Sequence, residues 1–259
     1  MQVAVPRSRY PSAVNDSTTR DAHPGKNGTY RFAALIVKPL VTLMFGKKWR
    51  GMENIPSDGG IIVAANHASL LDPLTAAHFL YNANRPPRIL AKASLWRVPF
   101  VGWVLRRTQM IPVLRGSAEA SQSLEIAKER LDAGFCIAVF PEGTLTRDPE
   151  GWPMQARTGV ARLALASQRP VIPLAQWGVT DVLPRGGKFP KLFPRQTVQL
   201  RAGKPVDLSD LYDRPTDSHT LREATYRIMR AITEMIAEMR GEQPPAGFYN
   251  PRTHAREEQ

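Results

Sequence analysis

The sequence predicts one α/β domain: a mixed, mostly parallel central sheet flanked by helices. Three observations carry that expectation. Short β-rich apolar runs alternate along the chain with segments whose apolar residues recur at helical spacing. The chain has 259 residues, 42% of them hydrophobic, enough for one sizeable core. Its single cysteine, Cys136, allows no intrachain disulfide and argues against a cysteine-built metal site.

The elements follow in chain order. Residues 1–29 are polar and contain no apolar run of the kind a secretory signal needs, so they read as a disordered arm. Residues 32–45, FAALIVKPLVTLMF, are the longest apolar stretch. That is short of the roughly 20 residues of a membrane span, and Lys38 and Pro39 interrupt it. Lys26, Arg31, Lys47, Lys48, Trp49 and Arg50 flank it. Basic residues and a tryptophan beside an apolar helix suit a segment, 30–50, lying among lipid headgroups. The alternative is a helix packed on the protein's own core.

Strands are expected at IIVAA (61–65), RILAKA (88–93), TQMIPV (108–113), CIAVF (136–140), VIPLAQW (171–177) and TVQLRAG (197–203). Cys136 falls in an apolar run and reads as a small core residue. Residues 117–133 place Ala120, Leu124, Ala127 and Leu131 on one helical face, with Ser117 as the expected N-cap and Gly134 as the stop. A second helix is expected over 157–168. A third covers 220–240, opened by a Thr220/Glu223 capping box and buried through Leu221, Ala224, Ile228, Ile232, Met235, Ile236 and Met239. In 183–195, LPRGGKFPKLFPR, basic residues alternate with Phe189, Leu192 and Phe193, and the glycines and prolines exclude a regular element. This reads either as a solvated loop or as a basic-apolar finger for anionic lipid or an acidic acyl carrier. Residues 241–259 read as a polar tail. The formal net charge of +12, from 35 Lys and Arg against 23 Asp and Glu, favours polyanionic partners: nucleic acid, an anionic membrane or phosphorylated substrates.

The chemistry begins at AANHASLLDP, residues 64–73. His67 follows an apolar strand, where open α/β sheets bind ligands. Asp72 stands five residues on, before Pro73, where it suits a helix N-cap. It could also orient the imidazole and leave the other ring nitrogen as a base. The chain has no GxSxG elbow, and Cys136 is placed in the core. A dyad without its own nucleophile points to a hydroxyl on the substrate, or to water.

NHASLLD (66–72) resembles the NHxxxxD motif of the glycerolipid acyltransferases. Three further blocks of that family's pattern follow in order: AKASLWRVPFVGWVLRRTQMIPVLRG (91–116), FPEGTLTRD (140–148) and VIPLAQWG (171–178). The likeness is to the 1-acyl-sn-glycerol-3-phosphate acyltransferase family and covers about half the chain, with 51–240 as the expected acyltransferase domain. The resemblance implies His67 as base and Asp72 as its relay partner. It implies Arg115 on the acceptor phosphate, Glu142, Gly143 and Thr144 shaping the acceptor site, and Lys92 as a further phosphate-side cation. Arginine suits a phosphate dianion because it binds bidentately, and lysine adds charge. The family commonly has Arg after Glu-Gly-Thr; this chain has Leu145, with Arg147 two residues later as a possible substitute.

The implied reaction moves a fatty acyl group from acyl-CoA or acyl carrier protein to the sn-2 hydroxyl of 1-acyl-glycerol-3-phosphate, giving phosphatidic acid. It needs no metal and no bound cofactor. The expected partners are an anionic membrane surface, the lysophospholipid and the thioester donor, not nucleic acid. The expected location is the cytoplasmic face of the cell membrane. The alternatives are another lysophospholipid or a glycolipid acceptor, a basic nucleic-acid binder, or a metal-dependent hydrolase on His67, Asp72 and Glu142. The last lacks a histidine cluster, because His23, His78, His219 and His254 lie outside the motifs.

Overall fold

The structure is a computed structural model and describes residues 28–113 and 117–257. Seven strands form one sheet: β1 (Gly46–Arg50), β2 (Ile61–Ala65), β3 (Pro87–Lys92), β4 (Ile111–Val113), β5 (Cys136–Val139), β6 (Val171–Trp177) and β7 (Thr197–Ala202). Their spatial order is β1-β7-β6-β2-β5-β3-β4. All neighbouring pairs run parallel except β6 and β7. The mixed, mostly parallel sheet expected from the alternating runs is therefore present.

The central strand β2 is buried at all five positions, as a parallel strand covered on both faces should be. The pleat splits its side chains between two cores. Ile62 and Ala64 face α4 (Ser117–Asp132), α5 (Gly159–Ser167) and α7 (Ser218–Arg240). Ile61, Val63 and Ala65 face α1 (Gly28–Met44) and α2 (Asp72–Asn82), through Val41 and the Phe45 that follows α1, and through Ala76, Phe79 and Leu80. Cys136 is buried on this second side, and burial pushes its thiol up to about 12. It is the core residue its context predicts.

Several expectations need correction. Only Ile111–Val113 of the TQMIPV run is strand. Thr108 instead ends the helix α3 (Pro99–Arg107), giving its N–H and hydroxyl to the Val104 carbonyl. Thr220 does not cap α7; it is a buried residue inside it, and the Asp217 carboxylate accepts its N–H at 2.8 Å. Pro173 sits in the interior strand β6, where the antiparallel ladder to β7 starts one residue later, so its missing N–H costs no bond on that side. Residues 241–259 are not simply a tail: β8 (Phe248–Asn250) and β9 (Ala255–Glu257) form a hairpin with Phe248 and Tyr249 buried. Residues 1–27, the greater part of the expected disordered arm, lie outside the described residues, and so does the side chain of Ser117.

The segment 30–50 divides in two. Gly46–Arg50 joins the sheet as an edge strand, and Trp49 turns inward, edge-on to His78 and Phe79, rather than out towards a headgroup layer. The α1 helix, with Pro39 inside it, buries Tyr30, Ala34 and Val41 on one face and exposes Phe32, Leu35, Ile36, Leu40 and Leu43 on the other. The 183–195 loop reaches its end, where Arg195 donates to the carbonyls of Thr42 and Phe45. Phe189, Leu192 and Phe193 on that loop are exposed. None of the described helices is long and apolar enough to cross a membrane.

Candidate active site

The site sits beyond the carboxyl end of β2. Asn66 leaves that strand and is tied to β6: its carboxamide donates to the Gln176 carbonyl at 3.0 Å, and the Gln176 N–H returns a bond at 2.8 Å. Gln176 also meets the Thr75 hydroxyl at 2.5 Å. This buried polar knot fixes where the chain turns out of the sheet, one residue before His67. A lone glutamine in the otherwise apolar run VIPLAQW was the available signal for it.

Asp72 opens α2 but caps nothing within it. Its carboxylate turns back over the preceding loop. One oxygen, Oδ2, accepts the N–H groups of Ala68 at 2.6 Å and Ser69 at 2.7 Å and lies 3.1 Å from His67 Nδ1. The helix-cap role is thus corrected: the carboxylate satisfies loop donors and the imidazole instead. Burial pushes the Asp72 carboxyl above the ordinary carboxylate range, and the imidazole and the two N–H groups pull it back. The positive end of the α2 dipole also favours its charge. With Nδ1 occupied by Asp72, Nε2 is the imidazole nitrogen left for a reacting group. The ring packs on Phe140, centroids 4.5 Å apart.

Glu142 is buried, and both its oxygens are used. Oε1 accepts the His67 N–H at 2.8 Å and Oε2 the Met154 N–H at 3.1 Å. The His67 carbonyl accepts the Thr146 N–H at 2.6 Å. The Glu142 turn therefore grips the backbone of the dyad histidine from both sides. Burial pushes the Glu142 carboxyl up to about 8.

His67 opens on a cavity of about 570 Å³. Its walls are mainly apolar side chains of α1, α2, α3 and β3, with Gly143, Thr144 and Leu145 beside the dyad. Lys92 is exposed at the end of β3 and lines it. Arg147 is exposed and is not among the lining residues. Arg115 lies outside the described residues. The structure thus brings His67, Asp72, Glu142, Gly143, Thr144 and Lys92 together and leaves Arg147 apart. No group of three or more His, Cys, Asp or Glu suited to a metal occurs among the described residues. The arrangement offers a carboxylate-oriented base at the mouth of an apolar chamber, which suits proton abstraction from the hydroxyl of a lipid-sized substrate.

The family model for acyltransferases matches residues 47–177. A 1-acyl-sn-glycerol-3-phosphate acyltransferase of Bacillus subtilis is 26% identical over 212 residues, covering 81% of this chain and 96% of that protein. Another, from Borreliella burgdorferi, is 34% identical over 132 residues, about half of each chain at 51%. The crystal structure of the 1-acyl-sn-glycerophosphate acyltransferase from Thermotoga maritima superposes with a TM-score of 0.64 at 26% identity, covering 83% of this chain and 81% of that one.

Proposed function

The chain belongs to the acyltransferase family, and on that premise we propose that it acylates the sn-2 hydroxyl of 1-acyl-sn-glycerol-3-phosphate from a thioester, making phosphatidic acid. One observation carries the reading: the His67–Asp72 pair, at 3.1 Å, faces an apolar chamber lined by the Glu-Gly-Thr turn. Acyl-CoA and acyl carrier protein both fit as donor, and the chemistry requires no metal or bound cofactor.

His67 Nε2 takes the proton of the acceptor hydroxyl as its oxygen attacks the thioester carbon. Asp72 holds the ring and stabilises the imidazolium that forms. The C–O bond forms, the C–S bond breaks, and the leaving thiolate takes the proton back from the imidazolium. Glu142 serves as a positioning residue, because its two oxygens are engaged by backbone N–H groups. Gly143 and Thr144 contact the acceptor, and Lys92 and Arg115 supply positive charge for its phosphate.

The test is turnover by purified protein across a panel of lysolipid acceptors with both donor types. His67→Ala should abolish product formation while leaving the unfolding temperature near that of the wild type. Initial rates equal to wild type would sink the mechanism.

The exposed face of α1, with Phe189, Leu192 and Phe193 on the adjoining basic loop, is the surface we assign to an anionic membrane. This agrees with a peripheral protein on the cytoplasmic side of the cell membrane. Leu35→Asp with Leu43→Asp should reduce flotation with phosphatidylglycerol vesicles, and unaltered flotation would remove α1 from that role.

A further inference from the structure

We propose that Arg157, a residue outside the four sequence blocks, holds the acceptor phosphate in this chain and does the work of the arginine that Leu145 displaces. The inference rests on the functional reading above and adds a named ligand for the phosphate.

The cavity wall beside His67 is apolar where an anion must sit, since Leu145 lines it. The phosphate of a 1-acyl-glycerol-3-phosphate is only a few bonds from the hydroxyl that His67 activates. Its cation must therefore stand next to the dyad. The Phe140–Gly143 turn is in that place: the His67 ring packs on Phe140, and the His67 N–H is bonded to Glu142.

Arg157 is fastened to this turn. Its N–H donates to the Pro141 carbonyl at 2.9 Å. Its side chain then runs across Gly143: a Cβ added there would lie 3.2 Å from Nε, 3.3 Å from Cδ and 3.9 Å from Cζ. Gly143 has φ +71°, a conformation that disfavours a side chain, and so leaves room for the guanidinium stem at the cavity edge. Gly143 itself lines the cavity. Among the described residues the Arg157 guanidinium has no hydrogen bond and no carboxylate partner, whereas Arg185, Arg227, Arg240 and Arg256 are all engaged by backbone carbonyls or carboxylates.

Arg147 has no such placement. Both arginines are exposed and neither lines the cavity; what separates them is that the described bond of Arg147 is a backbone N–H to the Met154 sulfur, whereas the Arg157 side chain lies against Gly143, which does line it. A planar guanidinium at Arg157, against the Gly143 edge, together with Lys92 in the cavity lining, gives a dianion one bidentate partner and one point charge.

The experiment is steady-state kinetics with 1-oleoyl-glycerol-3-phosphate and a thioester donor, each varied in turn, for wild type, Arg157→Ala, Arg157→Lys and Arg147→Ala. Arg157→Ala should raise the acceptor KM about ten- to a hundredfold, the loss of a charge-assisted contact, and leave the donor KM unchanged. Arg157→Lys should recover part of the loss. A larger rise in Arg147→Ala than in Arg157→Ala overturns the assignment, and so does a loss in Arg157→Ala shared equally by both substrates. Wild-type turnover with an unchanged acceptor KM in Arg157→Ala removes Arg157 and leaves the proposed reaction standing. No wild-type turnover of this acceptor removes both.

Discussion

Asp72→Asn separates charge from shape at the dyad. The carboxylate is fully buried and the His67 side chain is 16% exposed, so solvent screens their interaction little. At 3.1 Å between Nδ1 and Oδ2, the two charge centres in the activated state are about 4 Å apart, and an effective permittivity of about 20 gives about 4 kcal/mol of attraction. The neutral carboxamide forfeits that attraction when the imidazolium forms. At about 1.4 kcal/mol per tenfold, kcat should fall by about a thousandfold. Stability should change little, because the amide oxygen can still accept from Ala68 and Ser69. The assay is kcat at saturating acceptor, paired with thermal unfolding. A kcat within tenfold of wild type would refute the claim that Asp72 stabilises the imidazolium. A large fall in unfolding temperature would mean that the carboxylate chiefly holds the loop.

Glu142→Gln leaves one amide oxygen for two N–H donors, so one of His67 or Met154 faces an NH2 group; this should cost about 1–3 kcal/mol in chemical unfolding and lower kcat through the displaced His67 backbone. Wild-type stability should fall as pH rises from the ordinary carboxylate value of 4.5 through about 8, because burial makes the folded protein hold the Glu142 proton that the unfolded chain releases; unfolding midpoints from pH 5 to 9 measure this, and an equal slope in Glu142→Gln would assign it elsewhere. Arg256→Ala removes the 2.7 Å partner of Asp148, whose side chain is fully buried, and should destabilise by about 1–3 kcal/mol because Arg256 is itself partly exposed. Adding Asp148→Asn should recover part of that loss in denaturant melts, since the uncompensated charge is then gone.

Much of the fold was legible because its signals are local. The β2 and β6 runs match their strands residue for residue, and Gly134, read as the stop of α4, adopts the left-handed conformation. The failures arose where tertiary partners decide. Lys47, Lys48, Trp49 and Arg50 look like an interfacial flank in sequence, but β7 offers a free edge and Trp49 finds His78 and Phe79. Residues 248–257 are polar enough to read as tail, yet Phe248 and Tyr249 have a core to enter. The dyad was legible because His67 and Asp72 lie within one turn of chain. Arg157 was not, because its approach to Gly143 depends on how the chain returns from residue 154 to the Pro141 carbonyl.

That return path explains why His67 depends on residues far from any motif. The Tyr249 carbonyl in β8 accepts the Gln155 N–H at 3.0 Å; the next residue back, Met154, gives its N–H to Glu142; and Glu142 holds the His67 N–H. Arg256 in β9 anchors the same loop through Asp148 and Glu150. The β8–β9 hairpin thus closes on the loop that Glu142 ties to the His67 backbone. A strand ladder holds an N–H and a C=O at every residue, but His67 lies beyond the last pairing of β2 and must find other partners for both. Glu142 and Thr146 provide them, one for each group. The Glu-Gly-Thr turn therefore has a structural reason to sit beside the dyad that is independent of substrate. The same turn, with glycine at its cavity edge, leaves the space that the Arg157 side chain occupies.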